Sequence, residues 1–180
     1  MKRRILLNIS LLSITWLVCA SGDLTAQNRR IRTVDDLFSA YEQVRGVGYI
    51  SISPNLLKLA QSADATELDE VFNSIASLKI LNIDIRPESE HLANQVRKDV
   101  QDLVKQGSFE EIVKMKEDES DFVIYLSQNK NKNSNELEAL LLMANQKDEL
   151  VLIGISGKIT HAVIDAVMGG KIGILPKTSK

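Results

Sequence analysis

Apolar positions in this chain recur with two periods, and the change between them divides the sequence. In residues 34–44, VDDLFSAYEQV, the side chains Val34, Leu37, Phe38 and Tyr41 share one helical face. Thr33 stands before them as a candidate N-cap with Asp36 three residues on, the spacing of a capping box. Residues 46–53, GVGYISIS, alternate instead as a strand entered through glycines and stopped by Pro54. Helical spacing returns over 66–77 through Leu68, Val71, Phe72 and Ile75, and LKILNIDI (78–85) reads as a largely buried strand ending before Pro87. A strand-helix-strand unit of this kind suggests two parallel neighbours. A longer helix over 88–105 turns Leu92, Val96, Val100 and Leu103 inward and is closed by Gly107.

After Gly107 the period falls to two. FEEIVKMKE, DFVIYLSQ, ELEALLLMA and ELVLIGISGKI are apolar runs separated by DES, NKNKNSN and QKD, all turn compositions. Four successive antiparallel strands follow. The third run is built of helix formers, but its shortness and the hairpin-like turns at both ends assign it as a strand. A last helix over 161–168 is capped by Thr160 and stopped by Gly169 and Gly170, and KIGILPKTSK (171–180) is expected to be a flexible tail. The expected fold is α+β: a mixed sheet with an N-terminal strand-helix-strand unit, a C-terminal antiparallel meander and helices mainly on one face. One domain is expected over 27–170.

The beginning of the chain has a different logic. Met1-Lys2-Arg3-Arg4 is basic, Ile5–Ala20 is mainly apolar, and SGDLTAQ is small and polar, the order of a signal peptide over 1–26 cleaved after Ala26. The apolar run is shorter than the roughly 20 residues that span a bilayer, which gives a periplasmic or secreted protein with no transmembrane span. The alternative is a lipid anchor at Cys19, against which Trp16 and Val18 stand where lipidation favours Leu and a small residue. Cleavage leaves no cysteine, hence no disulfide and no thiolate site in the mature chain. Removing Lys2, Arg3, Arg4 and Asp23 leaves 19 basic and 23 acidic residues, a net charge of -4. That balance argues against nucleic acid as a partner.

The sequence LFSAY…GVGYISIS, then ELDEVFNSIASLKILNID, then DFVIYL…LEALLLMANQKDELVLIGISGKI and a short closing helix resembles the secreted domain-of-unknown-function family 4252, roughly from Thr33 to Met168. The most specific piece is the ending, in which an acidic turn and an apolar strand lead into Ser156-Gly157-Lys158-Ile159 and a helix. The resemblance implies an envelope protein of Gram-negative bacteria with an α+β fold and no assigned activity. It offers no catalytic motif to carry over, and many members have a lipoprotein-like cysteine.

Candidate chemistry is sparse. Gly154, Ser156, Gly157, His161 and Asp165 suggest a serine-hydrolase triad, but the nucleophile elbow needs G-x-S-x-G and position 158 is Lys. The structural alternative makes Ser156-Gly157 a turn, His161 a first-turn helix residue and Asp165 a solvated one. His91 and His161 lack metal-ligand spacing, KEDESD (116–121) lacks the pattern of a calcium loop, and NKNKNSN (129–135) reads as an exposed hairpin loop. No catalytic, cofactor or metal residue is assigned and no cofactor is expected. The expected function is non-enzymatic binding of an envelope protein, peptide or glycan through one sheet face or edge. The alternative is an envelope-stress or signalling-linked regulatory partner, and a serine hydrolase ranks below both.

Overall fold

The computed structural model describes residues 30–61, 69–106, 109–128 and 137–169. The signal segment 1–26, Gly107, the loop 129–135 and the tail 171–180 expected above lie outside them. Thr33 caps the first helix: its hydroxyl accepts from the Asp36 amide at 3.0 Å, and the Asp36 carboxylate accepts from the Thr33 amide at 3.1 Å. Helix α1 therefore runs Val34–Tyr41 and buries Val34, Leu37, Phe38 and Tyr41. There follow β1 (Gly48–Ile52), α2 (Pro54–Gln61), α3 (Asp69–Ser74), β2 (Ile75–Asp84) and α4 (Glu90–Gln106). The meander is β3 (Phe109–Glu117), β4 (Ser120–Gln128), β5 (Leu137–Gln146) and β6 (Glu149–Ile159), closed by α5 (His161–Met168).

The six strands form one sheet in the order β1-β2-β6-β5-β4-β3. The α+β class, the strand-helix-strand unit and the antiparallel meander are all present. The sheet is antiparallel throughout rather than mixed: β1 and β2, suggested as parallel neighbours, pair antiparallel with Ile50 opposite Ile80. A parallel pair needs a crossover that carries the chain back along the sheet. Here two short helices packed on each other stand between the strands, and the chain re-enters the sheet at the end where β1 left it. Helix α2 is not among the elements the periodicity predicts, in which Pro54 marks only the end of a strand. Proline is equally suited to the first turn of a helix, and Ser53 before it caps that turn through the Leu56 amide at 3.3 Å.

Helices also cover both faces rather than mainly one. On the first face, Leu81, Ile83, Ala139, Leu141, Leu150 and Leu152 pack with α1 and with Ala93, Val96, Val100 and Leu103 of α4. On the second, Leu78, Ile124, Leu140, Leu142, Ile153 and Ile155 pack with Leu57 of α2, Val71 of α3 and Val163, Ala166 and Val167 of α5. The reason is in the strands: Ala139–Leu142 and Leu150–Ile155 are apolar at successive positions, so both faces of β5 and β6 must be removed from water. The same demand keeps the helix-forming residues of β5 in a strand, because two neighbours and two cores outweigh intrinsic propensity.

Two contacts tie α1 into place. Tyr41 donates to Asp99 of α4 at 2.5 Å; burial, and then this bond, push the phenol well above the usual tyrosine range, so it remains a donor. Lys79 of β2 pairs with Asp35, and Ser77 donates to the same carboxylate. The α1 helix approaches β6 closely because Gly154 has no side chain: a Cβ there would lie 2.5 Å from Phe38 Cε2 and 2.7 Å from Val34 Cγ1.

Candidate functional site

The residues of the suggested triad are not brought together. Ser156 pairs with Ser77 and Ala139 and lies two residues beyond Gly154, so it belongs to the first face, on the side of α1. Helix α5, which carries His161 and Asp165, packs on the second. Both of those side chains are exposed, and the sheet stands between them and Ser156. Ser156-Gly157 is also not the turn expected, because β6 continues to Ile159. Gly157 takes φ 140° beside an irregularity in β2 between Ile75 and Ser77. That irregularity moves Ile75 onto the second face, into the core with α3.

The two histidines are likewise apart: His91 is exposed at the start of α4 over the first face, and His161 belongs to the second. KEDESD forms the end of β3, the two-residue turn Asp118-Glu119 and the start of β4, where Glu119 pairs with Lys147 at 3.1 Å. Among the described residues no group of three or more His, Cys, Asp and Glu is placed to hold a metal ion. None of the described helices is long and apolar enough to cross a membrane.

What the geometry does present is an edge. Strands β1 and β3 end the sheet, and their outward backbone groups have no described strand to pair with. They differ in protection. Strand β3 carries Glu110, Glu111, Lys114, Lys116 and Glu117, and its register shifts between Glu111 and Val113; charges and irregularities of this kind blunt an edge against further pairing. Strand β1, Gly-Tyr-Ile-Ser-Ile, has neither charge nor proline nor a register shift. Its central Ile50 is 55% exposed, an unusual state for isoleucine on a sheet face, and Leu56 in the first turn of α2 is also 55% exposed.

The edge is continuous with a thinly covered part of the second face. Across the sheet, Ile52, Leu78, Ile155, Leu140 and Leu126 form a row that is closed over by helices from Leu78 onward, with Ile155 fully buried. Two rows away lie Gly48, Asn82, Val151, Ala144, Phe122 and Met115, where Phe122 is still buried but Asn82, Val151 and Ala144 are only partly covered and Met115 is 52% exposed. Asn82, opposite Gly48, donates to Glu149 at 2.7 Å, while its Oδ1 is buried without a hydrogen-bond partner among the described residues. Helices α2, α3 and α5 are too short to extend over this end, unlike the 17-residue α4 on the other face.

A model of the family described as Domain of unknown function (DUF4252) matches residues 41–167. The chain belongs to that family. No curated protein and no solved structure matches it. The matched span runs from the last residue of α1 to the last turn of α5, so the whole sheet, the open β1 edge and the Ser156 region all lie inside the family domain. The sequence pattern points to a sheet face or edge without choosing one. The signal that separates the two edges is legible in the sequence, as the contrast between uncharged GYISI and charged FEEIVKMKE.

Proposed function

We propose that this protein is a non-enzymatic binding module of the bacterial cell envelope that engages an extended segment of a partner along the β1 edge. Export rests on the basic start, apolar middle and small residues of 1–26, with cleavage after Ala26 giving a soluble periplasmic form. The observation that carries the reading is the difference between the sheet edges: β3 is charged and irregular, while β1 is uncharged and regular, with Ile50 exposed. Strand addition to such an edge takes its affinity from main-chain hydrogen bonds and its selectivity from alternate side chains. The separation of Ser156 from His161 by the sheet favours this reading over a hydrolase.

Titrating the isotope-labelled mature domain with a short, uncharged peptide rich in β-branched residues tests the proposal. Resonances of Gly48–Ile52 and their partners Leu78–Asn82 are expected to shift together, with those of β3 unmoved. Unchanged β1 resonances at millimolar peptide, or turnover of generic esters that Ser156→Ala abolishes, would overturn it.

A further inference from the structure

We propose that the strand docked on β1 is β1 of a second copy of this chain, forming a two-fold antiparallel pair centred on Ile50. The inference rests on the edge reading above and names its partner. A two-fold contact must be self-complementary, and the side chains of this strand meet that condition on both faces. With Ile50 on the axis, Gly48 falls opposite Ile52 of the partner copy and Tyr49 opposite its Ser51. In both of these pairs a large side chain meets a small one. A Cβ built on Gly48 makes only ordinary contacts, with Asn82 at 3.6 Å, and the glycine leaves the slot that a side chain there would fill to the partner's isoleucine. Ile50 would meet Ile50 of the second copy, which explains an isoleucine left 55% exposed at the centre of an edge strand.

The limits of the strand are symmetric about the same residue. Gly46, with φ 88°, ends the extended stretch on one side and Pro54, the first residue of α2, ends it on the other. Each lies four positions from Ile50, so antiparallel pairing sets one against the other and both ladders stop together. The paired segments carry no charge, so no like charges are brought face to face. A five-residue ladder is about 17 Å long and buries less than a standard interface, which places the dimer in the weak class.

Sedimentation velocity of the mature chain over a concentration series, compared with Gly48→Val and Ile50→Lys, tests this. Wild type is expected to pass from monomer to dimer across the micromolar range. Gly48→Val fills the slot needed by the partner's Ile52, and is expected to raise Kd at least tenfold while leaving the monomer's melting temperature unchanged or higher. Ile50→Lys changes an exposed side chain and is expected to weaken the dimer by as much, with the monomer still folded. A wild-type chain that stays monomeric at several hundred micromolar, or a dimer indifferent to both substitutions, would overturn the proposal. A monomer whose Gly48–Ile52 resonances still respond to the peptide would refute self-pairing and leave edge docking standing; a monomer with silent resonances would refute both.

Discussion

Gly157→Val is expected to cost the fold at least about 3 kcal/mol, through backbone strain and overpacking acting at one position. At φ 140° an L side chain is strained whatever space surrounds it. There is also no space: a Cβ would fall against the Ser74 carbonyl oxygen and 2.6 Å from the Ala76 amide nitrogen. Those atoms belong to the junction where α3 ends and β2 begins, so they cannot swing aside as a side chain would. Gly48→Val, in a strand of the same sheet, is the control. There a Cβ makes only ordinary contacts and valine suits a strand, so stability is expected to hold or rise slightly. Chemical denaturation of the two variants measures the difference, and equal losses would mean that Gly157 is not held in this conformation.

Phe38→Ala is expected to cost about 3–5 kcal/mol, the range for removing a fully buried aromatic ring. Phe38 has no exposed surface and lies over Gly154, within a core that includes Leu81, Leu152 and Val100. The same contact makes a sharper expectation in combination. Gly154→Ala alone is destabilising, because its methyl would press on Phe38 and Val34. In the Phe38→Ala background that methyl has room, so the second substitution should be neutral or favourable. Additive losses in a double-mutant cycle would show that α1 does not rest on β6 at this point.

Much of this fold could be read from the chain because local signals and tertiary demands agree. Thr33 with Asp36, and Thr160 before α5, cap helices where the spacing places them. Strands β3 and β6 begin and end where their apolar runs do. What the sequence hid is set by relations between distant segments. The direction of β1 against β2 depends on how α2 and α3 return the chain, which no local pattern records. Successive apolar positions in β5 and β6 do signal a sheet buried on both faces, a clue that the hairpin spacing overshadowed.

The candidate site follows the same division. Ser156, His161 and Asp165 are close in sequence, yet a sheet separates the serine from the other two, because adjacency along a strand and the following helix does not set which face each side chain occupies. The β1 edge emerges only once the strand order is known, since GYISI would be harmless in the middle of a sheet. Its uncharged composition acquires meaning at the margin, where alternate backbone groups of Gly48–Ile52 face outward and the others bond to β2.

The most direct measurement of that edge is amide hydrogen exchange resolved along the six strands, made on dilute mature protein and again with a β1-type strand added. The outward amides of Gly48–Ile52 are expected to exchange faster than those of β2 and β6 in the dilute protein, and to slow at least about tenfold once a strand is docked, while β3 is unchanged. Outward β1 amides already as protected as β6 in the dilute monomer, or unaffected by the added strand, would contradict a docking edge at β1.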